Sequence, residues 1–313
     1  MILYSFYLVL FNRLNTMVKQ KFSIKDLENL SGIKAHTIRI WEKRYGALEP
    51  DRTDTNIRLY DITNLQKLLN ISFLNDNGYK ISRISKMSDE DVIKLVNRIS
   101  ASKSDENRAI AKFKISMINF DEILFESTYQ KLLSEKGFRD IFKDVFIPLL
   151  EEIGLLWQTK TINPCHEHFI TNLIKQKLSI EIEKAQNPNN YDDSKLFVLY
   201  LPPNEIHDLG LNYFHYEVLL ENYRVINLGS SLPVCDLENI LNLHETIIFA
   251  TYFTVQPEDI PSYIKEFEDV ICKESIKELW VMGRKHQGID KSGFKNNIKF
   301  FDTVSQAILQ LQY

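Results

Sequence analysis

The chain has 313 residues, 44% of them hydrophobic and 26% charged, and carries a net formal charge of −4. That is room for about two or three folded domains, and the acidic balance argues against a protein that coats nucleic acid with its whole surface, so any DNA contact must come from a local basic patch. Cys165, Cys235 and Cys272 are far apart with no Cys-x-x-Cys pair, which argues against a disulfide framework or zinc site and fits a reducing, cytoplasmic compartment.

The chain opens on MILYSFYLVLF. This run is apolar, but it lacks a preceding basic region and a small-residue cleavage site, and it is well below the roughly 20 residues that span a bilayer. Residues 1–16 therefore read as an extra segment from an upstream start, with Met17 opening the first domain; an added packing strand or helix, or a membrane anchor, is the alternative. No membrane partner is expected.

Residues 17–96 form the first domain. Ser23 can cap a helix whose buried positions are Ile24, Leu27 and Leu30, and Ser31-Gly32 makes a turn. A second helix turns Ile38 and Trp41 inward and carries Thr37, Arg39, Lys43 and Arg44, with Arg39 and Lys43 sharing a face. Arg52 and Arg58 flank the turn TDTN, as in a β-wing. This is the layout of a helix-turn-helix whose second helix enters a major groove. The DNA-facing set is Lys34, His36, Thr37, Arg39, Lys43, Arg44, Arg52, Arg58 and Tyr60. Read alone, these are equally a solvated charged surface. Two helical segments follow, separated by the turn NDNGYKIS, and residues 97–106 read as a polar linker.

Residues 109–187 are helical throughout and read as a four-helix bundle, with Pro148 and Pro164 placed in helix first turns. QNPNNYDDS is a second linker. From 194 to 313 the rhythm changes to KLFVLYLP, RVINLG, TIIFATYF, KELWVMG and IKFFDT as strands, with helices between, PVCDLENILNL among them. Alternation of this kind makes an open, mainly parallel sheet with helices on both faces.

Two further places carry chemistry. Trp157 ends one bundle helix and Glu167-His168 lie near the start of the next; singly, Trp157 is a core aromatic and His168 a capping residue. Glu205, His207 and Gly210 lie in the loop beyond a strand's carboxyl end, where open α/β sheets bind ligands. A neutral imidazole there can ligate a transition metal while an acidic neighbour orients its other nitrogen. Singly, His207 is a hydrogen-bonded loop residue.

The second helix and wing resemble the MerR family of winged-helix regulators. Thr37, Ile38, Arg39, Trp41, Glu42, Arg44, Tyr45 and Gly46 match its T-[IL]-R-x-W-E-x-R-Y-G form, and Arg58-Leu59-Tyr60 its R-x-Y wing ending. The Cys pairs and long dimer helix of the metal-sensing members are absent. The rest of the chain resembles the cobalamin-binding photoreceptor regulators of the CarH/LitR type. Trp157 with Glu167-His168 fits their W-x9-E-H motif, and Glu205-x-His207-x-x-Gly210 fits, with Glu for Asp, the D-x-H-x-x-G motif of cobalamin domains.

The resemblance implies an α+β multidomain chain: a MerR-type winged helix-turn-helix, a four-helix bundle, and a Rossmann-like α/β domain of the cobalamin-binding type. It implies a bundle over the upper face of a corrin ring, with Trp157, Glu167 and His168 against an adenosyl or methyl ligand, and an α/β domain below, with His207 as lower cobalt ligand. In those photoreceptors light breaks the cobalt–carbon bond. Gly210, Ser230 and Gly283 complete the expected cofactor set. Relatives hold the nucleotide tail with a hydroxyl residue after the third strand and a Gly-Gly pair after the fourth. This chain has Ala250, Thr251 and Tyr252 at the former, and Gly283 followed by Arg284 at the latter, so a Tyr and an Arg stand where the tail would run. The expected function is a sequence-specific regulator, not an enzyme, that binds a double-stranded DNA operator as a homo-oligomer, with cobalamin controlling assembly and DNA affinity. The alternative is a regulator whose cobalamin-type domain has lost the cofactor and serves protein interaction or dimerisation.

Overall fold

The structure is a computed structural model that describes residues 21–100, 105–159, 161–187, 191–272 and 277–311. The segment read as an upstream start, 1–16, lies outside them. The chain divides into two compact units, one ending at Leu173 and the other starting at Ile174.

The first unit opens with α1 (Ile24–Ser31). Ser23 and Asp26 close a capping box at its start, and Gly32 ends it in the left-handed conformation at φ 75°. Helix α2 (Ala35–Tyr45) follows, then the two-stranded wing β1 (Asp51–Arg52) and β2 (Arg58–Leu59), paired antiparallel. Phe22 and Tyr60 exchange backbone hydrogen bonds of 2.7 and 2.9 Å, which ties the chain before α1 to the end of the wing. Helices α3 (Ile62–Asp76), α4 (Ile81–Ile84) and α5 (Asp89–Ser100) complete the head, so the stretch read as two helical segments holds three. Phe22, Leu27, Leu30, Ile38, Trp41, Tyr60, Leu65 and Leu68 are its buried core.

The polar stretch 97–106 is not a linker over its whole length: α5 runs through Ser100, and α6 (Asp105–Asn119) starts at its far end. Polar residues on the outer face of an amphipathic helix give the same composition as a loop. The bundle continues with α7 (Glu122–Glu135), α8 (Phe138–Ile141), a π-helical turn Phe142–Phe146, α9 (Ile147–Gln158) and α10 (Pro164–Ala185). Pro164 occupies a helix first turn, as the sequence suggested. Pro148 does so too, at the second residue of α9, and that helix continues the π turn, where Ile147 N–H donates to Phe142 O. Widening the ladder at that point accommodates a residue that has no N–H to contribute. Phe113, Phe125 and Phe146 form the aromatic centre, with ring centroids 4.9 to 6.3 Å apart. Burying each such side chain stabilises the fold by about 1.5–3 kcal/mol. The head is pinned to the bundle by Lys114, whose buried ammonium donates to Leu30 O at 3.0 Å and Glu152 Oε2 at 2.6 Å, and by Asn29 Nδ2 donating to Thr161 Oγ1 at 2.9 Å.

The second unit is a parallel sheet of β3 (Asp192–Leu199), β4 (Tyr223–Asn227), β5 (Ile247–Tyr252), β6 (Glu278–Met282) and β7 (Ile298–Phe301), in the order β4-β3-β5-β6-β7. Helices α11 (Leu209–Leu220) and α13 (Val304–Leu311) cover one face, and α12 (Ile260–Ile271) covers the other with a short 3-10 helix, Val234–Ile240. That 3-10 segment stands where PVCDLENILNL suggested a full α-helix; Pro233 precedes it without a side-chain cap. The strand order reverses between β3 and β5, so the loops leaving those two strands open onto the crevice where such sheets receive ligands.

Candidate functional site

Helix α2 is amphipathic in a simple way. Ile38 and Trp41 are buried, while His36, Arg39, Ile40, Lys43 and Arg44 are exposed. Spacing of three and four residues puts His36, Arg39, Ile40 and Lys43 on one face. Among the described residues, no carboxylate lies within ion-pair distance of Arg39, Lys43 or Arg44; Arg44 instead lies over the Tyr45 ring at 5.7 Å. Thr37 is half-buried and its hydroxyl lies 3.3 Å from His36 Nε2. Lys34 is exposed and reaches Glu28 at 3.4 Å. Ile40 was not singled out from the sequence, yet it is 44% exposed among cations; its signal was an apolar residue out of phase with Ile38 and Trp41.

Behind this face sits Glu42. Its carboxylate accepts two bonds from Arg58 Nε, at 3.0 and 2.9 Å, and one from the Tyr60 hydroxyl at 3.0 Å. Arg52 is exposed, donates to Asn56 Oδ1 at 2.7 Å and lies 3.7 Å from Glu42. The assignment of Tyr60 to the DNA-facing set is therefore corrected: the side chain is 0% exposed, and burial, then Glu42, pushes its hydroxyl pKa far above the ordinary value. Arg58 is half-buried, with its guanidinium engaged by Glu42, whose hydrogen bond raises its pKa. Both hold the wing against α2 rather than face outward.

In the bundle, Trp157 is 56% exposed, which overturns its reading as a core aromatic. Leu155 beside it is 62% exposed. His168 is also exposed, with Nε2 3.4 Å from Glu167 Oε2. The neighbouring histidine, His166, is the buried one, stacked on Phe120 with its Nδ1 accepting from Asn163 N–H.

In the second unit, Glu205 and His207 come together. Glu205 is fully buried, and its Oε2 accepts from the backbone N–H groups of Thr254, Val255 and Gln256 at 3.3, 2.7 and 2.8 Å. Its Oε1 accepts from the N–H groups of Ile206 and His207, both at 3.0 Å, and lies 2.6 Å from His207 Nδ1. Burial alone would raise this carboxyl; the backbone donors and His207 outweigh it and push the pKa down to about 2. An ionised carboxylate can only accept, so the Nδ1 position carries the proton, and in the neutral ring Nε2 keeps the lone pair. The imidazole is about half exposed, at 49%. Lys175 holds the next residue, Asp208, at 2.6 Å. The sequence could not reveal that the β5 loop supplies the donors, since backbone N–H groups leave no mark in side-chain patterns.

Gly210 is not in the loop, as the sequence suggested, but in the first turn of α11. A Cβ on it would lie 2.7 Å from the ring of Tyr252, and one on Gly283 would lie 3.0 Å from the same ring. Tyr252 thus fills the space between them. Arg284, also expected to intrude, is exposed. Ser230 is exposed; its neighbour Ser231 accepts from Asn204 N–H at 3.0 Å and so touches the loop that carries His207.

Comparison with known proteins adds three findings. Residues 22–91 match the family described as MerR HTH family regulatory protein, and residues 109–180 match the family described as B12 binding domain. The HTH-type transcriptional repressor CarH of Myxococcus xanthus is 24% identical over 284 residues, covering 87% of this chain and 93% of that protein. The repressor CarA of the same organism is 21% identical over 281 residues, covering 84% and 91%. Among solved structures, the monomethylamine corrinoid protein of Methanosarcina barkeri matches with a TM-score of 0.54 at 10% identity, over 67% of this chain and 99% of that one, a likeness of fold. The chain joins a MerR helix-turn-helix to a B12 binding domain, is homologous to CarH and CarA over most of its length, and is a DNA-binding transcriptional regulator. No helix among the described residues is long and apolar enough to cross a membrane.

The residues present fit a corrinoid at one point and not at another. A single imidazole does not hold a bare transition ion, but it suits a metal that brings its other ligands in a macrocycle, and His207 is oriented for that. The seat between Gly210 and Gly283 is closed by Tyr252.

Proposed function

We propose that this protein is a corrinoid-responsive, sequence-specific regulator that binds a double-stranded operator as a homo-oligomer. The observation that carries the reading is His207, held by a buried, ionised Glu205 with its Nε2 lone pair outward, in the same chain as an α2 face free of internal carboxylate partners among the described residues. On DNA, Arg39 and Lys43 reach base edges, Ile40 offers an apolar contact for a thymine methyl, and Lys34, His36, Arg44 and Arg52 bind phosphates. Glu42, Arg58 and Tyr60 act behind that face by fixing the wing.

In the C-terminal half, His207 would hold the lower face of a cobalamin-type cofactor in adenosyl or methyl form. Glu205 keeps the proton on Nδ1 and the ring in register. Trp157 and His168 are exposed on the bundle and Glu167 is half-buried beside them; the family resemblance gives these three to the upper ligand. When bound, such a cofactor would supply a light-labile cobalt–carbon bond. A ligand changes DNA affinity only by binding one assembly state better than another; the exposed Trp157 and Leu155 give it an apolar surface on which states can differ. The curated relatives CarH and CarA are repressors, which supports a regulatory rather than an enzymatic role.

The test is ultraviolet-visible spectroscopy of the chain purified with adenosylcobalamin. Wild type should retain colour with a histidine-ligated spectrum that His207→Ala loses. A colourless protein, unchanged by the substitution, would remove this reading. A second reading, a regulator whose corrinoid-type domain serves dimerisation alone, is favoured by one observation, the Tyr252 ring between Gly210 and Gly283. It would leave DNA binding indifferent to cobalamin and light.

A further inference from the structure

Glycine is the poorest helix former after proline, yet α11 carries Gly210 in its first turn, and Gly210 is not among the glycines with positive φ. Its backbone conformation therefore does not call for glycine; its neighbour does. A Cβ there would meet Cε2, Cδ2 and Cζ of Tyr252 at 2.7, 2.9 and 2.9 Å. At the ring's other edge, a Cβ on Gly283 would lie 3.0 Å from Tyr252 Cε1 and 2.5 Å from Phe253 O. The two glycines thus flank a slot one aromatic ring wide. The ring is half-buried and is not part of the core on the far side of the sheet.

The slot and the imidazole share the same two loops. Gly210 follows His207 by one turn of chain, and Thr254, two residues past Tyr252, donates to the Glu205 carboxylate that holds His207. Cobalt has one lower axial position. Where an imidazole takes it, a base carried on the corrinoid's own nucleotide arm comes off the metal and needs a place of its own. The ring-wide seat beside His207 is occupied by the chain itself.

Resting on the reading that His207 binds a corrinoid, we infer that Tyr252 is a specificity residue: it fills the seat for a flat base and selects corrinoids that lack the nucleotide arm. A tailed cofactor must displace the ring; a tailless one need not.

The test titrates the full chain with aquocobinamide, which has no nucleotide arm, and aquocobalamin, which has one, followed by absorbance and calorimetry. Wild type should bind the tailless compound about tenfold more tightly or better. Tyr252→Phe, which keeps the ring, should preserve that preference, and Tyr252→Ala should reduce it to about twofold or less. The wild-type comparison needs no variant to fold. Equal wild-type affinities, or a preference untouched by Tyr252→Ala in a folded protein, would overturn the inference while a His207-dependent spectrum upheld the reading beneath it. Binding of neither compound would overturn both.

Discussion

At the scale of single residues, the division between side chains that face outward and those that hold them in place makes distinct predictions. Arg39 is exposed on the α2 face, so Arg39→Ala should weaken binding to the preferred duplex by about 1–3 kcal/mol and leave random-sequence binding nearly unchanged in competition assays. Equal losses on both would deny it a base-reading role. Glu42 works differently. Its carboxylate is mostly buried and gathers Arg58 and Tyr60, so Glu42→Ala should lower the stability of the head by about 3 kcal/mol in denaturant unfolding, far beyond a surface charge deletion. Glu205 adds a pH dependence. Its pKa falls from 4.5 to about 2 on folding, so its contribution is full above about 4.5 and is lost as the pH falls toward 2. Glu205→Gln should flatten the acid limb of the stability curve in that window; an unchanged slope would mean the carboxylate is not held as described. The outward cations were legible in the sequence, because charge recurs at helical spacing around a buried Ile38 and Trp41. The role of Tyr60 was not, since a tyrosine beside arginines reads as a DNA contact until its burial is known.

Elements follow the same contrast. The capping box of α1, the turn at Gly32 and the alternation of strand and helix in the second unit were readable because each depends on residues close in sequence. The π turn before Pro148 and the shortened 3-10 segment Val234–Ile240 were not, because neighbouring elements set them. The meeting of α11 with the end of β5 was visible only through the family resemblance, which put Tyr252 where the tail would run; nothing near Gly210 in the chain announces the ring. It can be tested by a double-substitution cycle. Gly210→Ala should cost about 1–3 kcal/mol in wild type, where the new methyl strikes the ring. In the Tyr252→Ala background the same change should be neutral or stabilising, since alanine is the better helix former. Additive effects would mean that the ring does not occupy the slot.

For the whole molecule, net charge and local charge must be kept apart. The chain is acidic at −4, so its affinity for DNA rests on the head alone, and that affinity should fall steeply with salt. Arg52→Ala should lower the slope of log K against log salt by about 1 while reducing binding on all sequences alike. The passage from bundle to sheet was visible in the sequence, because the apolar positions change there from helical spacing to short strand runs; the head was set off from the bundle by its basic helix and wing and not by a change of period. Which ligand the second unit accepts was not visible, since that depends on which side chain fills a slot at the carboxyl edge of its sheet. The most direct test of the account is the affinity for a selected duplex, measured by fluorescence anisotropy with and without adenosylcobalamin, for wild type and His207→Ala. Wild type should change affinity on adding the cofactor and His207→Ala should not. One affinity shared by all four conditions would contradict the proposal that the C-terminal half controls the DNA-binding head.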